Sequence, residues 1–261
     1  MECIPKGLAN EITDKYNLLV GPKCNDYSFL VSKKRIIKMI KTNAECNSYS
    51  IEHPSLSMIS EISEPKKRKL VKQGVKNLQD AFRWGEAHFN FDSFGEEYVR
   101  KLAARVEPEI HSNKDIADYS HIVARFDRTT AYPEKIREEM FNFVNELKKH
   151  FQSNNTPIER MGSTLYAHFN LVRIHPFYDG NGRTARILQN IILDKYNFPL
   201  PIIESGERYT YNNLIKQAVE GYYDRKSEKL MNGLSNEEKN FYTYLAGKVN
   251  SSLDKVLENL C

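Results

Sequence analysis

Apolar residues in this 261-residue chain recur at three- and four-residue steps over most of its length, a period that commits it to helices buried along one face. Val71, Val75, Leu78 and Phe82 mark a helix between Glu64 and Trp84. Pro65 suits its first turn, and Lys66, Lys67, Arg68, Lys69, Lys72 and Lys76 fall mostly elsewhere on the wheel. Ile136, Met140, Phe143, Val144 and Leu147 mark a second helix, from Pro133 to about Phe151. A third begins near Pro157 and carries Ile158, Met161, Leu165, Phe169 and Val172. A fourth follows Arg183, carries Leu188, Ile191 and Ile192, and stops before Pro199. The C-terminal stretch also reads as helical, ending with Ser251 to Leu260. Strand signals are scarce; the best is Tyr119–Phe126, where Ile122 and Val123 suggest a hairpin or an extended flap. The expected fold is mainly α, a helical bundle with one small β-hairpin. Its expected divisions are an N-terminal lobe (1–43), a core (44–225) and a C-terminal helical extension (226–261).

Composition narrows the function classes. Hydrophobic residues at 40% and charged residues at 28% describe a chain that can bury a core, not a disordered one. No apolar run approaches the roughly 18 residues that a membrane span requires. Met1, Glu2, Cys3, Ile4 and Pro5 lack the basic-then-apolar order of a secretion leader. Cys3, Cys24, Cys46 and Cys261 form no C-x-x-C pair and read as thiols in a reducing, cytoplasmic compartment, with delivery into a host cell left open. A net charge of +4 is too small to point to nucleic acid. The run Lys66–Lys69 has no interleaved aromatic and reads as a solvated helix face.

The segment that carries chemistry is His175-Pro176-Phe177-Tyr178-Asp179-Gly180-Asn181-Gly182-Arg183-Thr184-Ala185-Arg186. A histidine and a carboxylate stand four residues apart, a Gly-Asn-Gly turn follows, and a helix then opens with two arginines at i,i+3. Glycines flanking Asn181 permit positive φ, and successive N–H groups at a helix N-terminus make an anion nest. Arg183 and Arg186 share a helix face and can fork onto phosphate oxygens. Asp179 offers the hard oxygen that Mg²⁺ prefers beside phosphate, and His175 is the side chain best able to take a proton near neutral pH. Each feature alone is more often structural, and Phe177 reads as a packing anchor. Their conjunction within twelve residues reads as a polyphosphate site beside a general base.

This string resembles the signature of the Fic family, H-P-F-x-[D/E]-G-N-G-R-x-x-R, at every defined position. The resemblance implies the α-helical Fic fold with a β-hairpin flap, and transfer of AMP from ATP to a Tyr, Thr or Ser hydroxyl of a target protein. It makes His175 the catalytic base and Asp179 the holder of Mg²⁺. Gly180, Asn181, Gly182, Arg183, Thr184, Ala185 and Arg186 become the phosphate-binding stretch, and Tyr211 part of the adenosine pocket. The flap is expected at Val123, Ala124, Arg125 and Phe126, where it would align the target by strand addition. Gly180 stands where the kinase branch of the family carries lysine; the phosphocholine-transferring branch stays open.

Ser48-Tyr49-Ser50-Ile51-Glu52 matches five positions of the family's inhibitory helix, [S/T]-x-x-x-E-[G/N], and departs at the sixth, where His53-Pro54 follows. The resemblance implies an intramolecular brake, with Ser48 and Glu52 as its residues, in which Glu52 pairs with Arg186 and blocks the seat of the γ-phosphate. Pro54 is expected to end that helix near Glu52, and Ser57–Glu61 is a weaker match to the same spacing. The alternatives are removal of AMP from a modified protein and a catalytically silent Fic-fold binding module. Oligomeric state, a homodimer included, is open.

Overall fold

The computed structural model describes residues 3–21, 27–52, 65–111, 115–120, 131–153, 155–228 and 233–260. Nine α-helices occur among them: α1 Lys6–Val20, α2 Tyr27–Glu52, α3 Pro65–His88, α4 Glu96–Val106, α5 Ile136–Ser153, α6 Pro157–Ile174, α7 Asn181–Lys195, α8 Arg208–Ser227 and α9 Asn236–Glu258. No strand is found among the described residues. The expected flap at Val123–Phe126 and the alternative inhibitory match at Ser57–Glu61 lie outside them. The helices read from periodicity at α3, α5, α6 and α7 are present, and most of the apolar positions read for them are buried; Ile158 and Val172 of α6 are half-buried. Val71, Leu78, Phe82, Met140, Phe143, Leu147, Met161, Leu165 and Phe169 are all nearly inaccessible to solvent.

The chain divides into two units. One comprises Met1–Ala44, Asn154–Leu165 and Ile192–Cys261. Its principal contacts are α8 on α9 and α1 on α9. Phe241, Tyr242, Leu245, Ala246, Val249, Leu253 and Val256 of α9 follow the i, i+3, i+4, i+7 rule on one face and are buried. From α1, Ile12, Tyr16 and Leu19 are buried in the same unit, and the Tyr16 hydroxyl donates to the Tyr196 carbonyl at 3.0 Å. A reciprocal capping box starts α9. The Ser235 hydroxyl accepts from the Glu238 N–H at 3.1 Å while the Glu238 carboxylate accepts from the Ser235 N–H at 2.9 Å. That carboxylate is buried and is also gripped by both arms of Arg225, at 2.9 and 3.0 Å.

The other unit comprises Glu45–Ser153 and Tyr166–Ile191. Here α3 packs on α4 through Val71, Val75, Leu78 and Phe82 on one side and Val99, Leu102, Ala103 and Val106 on the other. The C-terminal turn of α2 belongs to this unit. Tyr49 and Ile51 are buried, and the Tyr49 ring lies so close to α3 that a β-carbon at Gly74 would stand 1.9 Å from its Cε2. That packing fixes the backbone which carries Ser48 and Glu52.

Removing one partner of a buried charge pair leaves the other uncompensated and typically costs about 3–5 kcal/mol. Glu238→Ala, which also deletes the capping box, is expected to destabilise the chain by about that much in urea unfolding, against a small change for the exposed Glu237→Ala. Equal effects of the two substitutions would contradict this assignment.

Candidate active site

The loop between α6 and α7 places the motif. The His175 N–H still bonds back to the Leu171 carbonyl at 3.1 Å, but His175 itself turns to φ 53, a left-handed conformation that a non-glycine residue adopts at some cost. The turn is held from within. The Asn181 side chain accepts from the Phe177 N–H at 2.9 Å and donates to the Phe177 carbonyl at 2.7 Å, so one amide braces the loop across four residues. Phe177 is buried, with its ring 6.0 Å from those of His111 and Tyr119. Ser120 donates its N–H to the Pro176 carbonyl at 2.8 Å, so the residues leading toward the expected flap dock on this loop. Gly180, at φ +76, makes the turn into α7, and its carbonyl accepts the Thr184 N–H at 2.8 Å.

Five charged groups converge at the N-terminus of α7. Asp179 is exposed; its Oδ1 accepts from the Gly180 N–H at 2.6 Å and from Arg183 Nη2 at 3.1 Å. Arg183 is buried and its Nη1 pairs with Glu107, the residue that follows α4. Arg186, also buried, donates from Nε to the Ser48 hydroxyl at 2.8 Å. From Nη2 it donates to the Ser48 carbonyl at 3.0 Å and to Glu52 at 2.7 Å. The Glu52 carboxylate rests on the first turn of α7: a β-carbon at Gly182 would stand 2.6 Å from its Oε1. An anion thus already sits at a positive helix end, and it belongs to α2.

Burial dominates the titration of this corner. It holds the His175 imidazole below its ordinary value, against the opposing pull of Glu52, of the Val172 backbone and of Asp179. Burial also pushes the Glu107 carboxyl up, although Arg183 pulls it down. Two turns before the loop, the fully buried His168 is pushed to about 3 by burial and by Arg186, and its Nδ1 lies 2.6 Å from the Gln189 side chain.

His175, Asp179, Arg183 and Arg186 therefore lie in one loop-into-helix, with Ser48 and Glu52 brought to them across 138 and 134 residues. Thr184 and Ala185 lie in the first turn of α7 with fully buried side chains. Tyr211 belongs to the other unit, where it is buried near Phe241, ring centroids 6.3 Å apart. Val123, Ala124, Arg125 and Phe126 lie outside the described residues. Glu107 is the charged member that sequence reading missed. The signal was weak: Val99, Leu102, Ala103 and Val106 trace a helix that would deliver the next residue to its end, but nothing in the spacing pairs that residue with Arg183.

No group of three or more His, Cys, Asp or Glu side chains that could hold a metal alone occurs among the described residues. The exposed Asp179 carboxylate suits the other mode, in which Mg²⁺ is shared between a single carboxylate and substrate phosphates. No helix is long and apolar enough to cross a membrane among the described residues.

Residues 92–193 match the family model described as Fic/DOC family. A protein adenylyltransferase Fic from Drosophila persimilis is 50% identical over 68 residues, 26% of this chain and 13% of that protein. One from Nematostella vectensis is 39% identical over 95 residues, 36% of this chain and 22% of that protein. The matched stretches thus span less than a quarter of these relatives. In fold, a Fic-domain-containing signaling protein from Bacteroides thetaiotaomicron superposes with a TM-score of 0.68 at 21% identity, covering 97% of each chain. Fic-1 from C. elegans gives 0.70 at 20% identity, covering 97% of this chain and 71% of that one. Residues 92–193, which include the motif, thus match the Fic/DOC family, and the helical fold is similar to that of Fic-domain proteins.

Proposed function

We propose that this chain transfers AMP from ATP to a hydroxyl of a target protein and that Glu52 restrains the transfer. The supporting observation is the half-buried His175 in the loop that enters α7, with Arg183 and Arg186 at the start of that helix. In this reading the α7 N-terminus, Gly180, Gly182 and the two arginines bind and orient the polyphosphate. The target's Tyr, Thr or Ser oxygen then attacks the α-phosphorus in line. A new oxygen–phosphorus bond forms, the bond to pyrophosphate breaks, and the hydroxyl proton passes to His175. Asp179 would hold Mg²⁺, which when bound neutralises phosphate charge. The names of the relatives, protein adenylyltransferase Fic, favour this chemistry.

The restraint follows from charge. Glu52 occupies the Arg186 guanidinium and the first turn of α7, the groups that a γ-phosphate would need. In Glu52→Gly that competing anion is gone. Hydrogen bonds to charged groups are worth about 1.5–3 kcal/mol, so relief of roughly 10- to 100-fold is expected. Intact-mass analysis after incubation with ATP and Mg²⁺ tests it. Glu52→Gly should gain adenylyl groups on itself or on an added target far faster than wild type, and the further change His175→Ala should abolish the gain. An unchanged rate on losing Glu52 would remove the restraint. Nucleotide binding without any transfer would leave a silent binding module, and loss of AMP from a pre-modified target would favour the reverse reaction.

The pH dependence has a defined sign. A base works when deprotonated, and burial lowers the His175 value, so activity should fail only on the acid side, below the ordinary imidazole range near 6.5. Glu52 is one of the groups that raise it, so its removal should move the acid limb lower still. The pH–rate profile of Glu52→Gly reads this directly. A half-point at or above the ordinary imidazole value would contradict His175 as a buried base.

A further inference from the structure

Arg183 and Arg186 lie on one face of α7, and each is paired with a carboxylate from outside the motif, but the two carboxylates are held differently. Glu52 is the final residue of α2 as described, and its side chain is 36% exposed. Glu107 is 17% exposed, and its backbone is pinned at both polar atoms: its N–H donates to the Ala103 carbonyl at 3.1 Å and its carbonyl accepts from the His111 N–H at 3.2 Å. His111 in turn sets its ring edge against Phe177 in the catalytic loop. Glu107 Cγ also packs against the loop itself, since a β-carbon at Gly180 would stand 2.7 Å from it. A carboxylate fixed at its backbone, along its stem and at its head is built to stay.

Its reach extends past Arg183. One arm of that guanidinium goes to Glu107 and the other, at 3.1 Å, to Asp179. Asp179 itself is exposed and makes one further bond, from the Gly180 N–H. The series Glu107–Arg183–Asp179 thus runs from a rigid helix end to the exposed carboxylate of the loop. Two carboxylates on one guanidinium leave this series one negative charge in excess, and the exposed Asp179 is where a divalent cation carried by a polyphosphate would offset it.

We propose that Glu107 is a positioning residue of the nucleotide site, anchoring Arg183 so that its second arm presents Asp179 to Mg²⁺ shared with the nucleotide. This rests on the adenylyl-transfer reading of the site. It assigns Glu107 a supporting part, opposite in sign to the restraint by Glu52. Outer partners that orient metal-binding carboxylates are typically worth roughly 10- to 100-fold in metal affinity or activity.

The test uses the full chain carrying Glu52→Gly, with ADP as the probe. The quantity measured is the Mg²⁺ concentration that gives half-maximal ADP binding, followed by calorimetry. Adding Glu107→Ala should raise that midpoint at least about tenfold, and Glu107→Gln, which keeps one acceptor for Arg183, should fall between Ala and the parent. Glu107→Asp keeps the charge, shortens the reach and disturbs the packing less, so it carries the test if the alanine variant does not fold; its midpoint should rise as well. An unchanged or lower midpoint in the folded variants overturns the proposal. Failure of the parent reading is seen separately, as absence of ADP binding by Glu52→Gly before Glu107 is touched, and the proposal falls with it.

Discussion

Two guanidinium groups buried within one turn of each other must be neutralised, and that requirement organises the catalytic-loop unit. Arg183 and Arg186 are almost inaccessible to solvent at the N-terminus of α7, where the helix dipole adds positive charge. Buried charge of one sign is tolerated only when paired and hydrogen-bonded. The chain supplies anions from three places: Asp179 within the loop, Glu107 from the end of α4, and Glu52 with Ser48 from the end of α2. Segments distant in sequence are drawn together because one helix start concentrates charge that water cannot reach.

The loop that leads into α7 carries its own conformational cost. His175 occupies a left-handed backbone conformation, and the turn closes through a glycine at positive φ. The compensation lies in Asn181, whose side chain satisfies both backbone groups of Phe177, and in Phe177, anchored in the core. Asn181 therefore braces the loop: its amide oxygen and one of its two N–H groups are engaged on Phe177.

How much of this is legible in the sequence depends on the range of the interaction. Helices α3, α5, α6 and α7 announce themselves through local periodicity, and the twelve-residue motif is local too. Ser48 and Glu52 were reached through family resemblance; spacing alone could not place them beside a guanidinium more than 130 residues away. Helices α1 and α4 carried the same kind of signal, Ile12–Tyr16–Leu19 and Val99–Leu102–Ala103–Val106, but over few turns, where periodicity is hard to separate from chance. Glu107 was illegible for a different reason. Its partner is set by where α4 ends relative to α7, a tertiary fact with no sequence period.

The two outer carboxylates differ in how they are held. Under the proposed function an arriving polyphosphate would replace Glu52 on the first turn of α7 with another anion, so Arg186 would not be left buried and unpaired. The exchange does not require α2 to leave, because Tyr49 and Ile51 keep its backbone packed while the Glu52 side chain is already partly exposed. Glu107 has no such freedom: moving it would vacate the packing against Gly180 and strand Arg183 with the exposed Asp179 as its remaining carboxylate partner. Charge balance at Arg186 is thus exchangeable, while at Arg183 it is permanent. That asymmetry, not the presence of two ion pairs, is what the proposed restraint by Glu52 draws on.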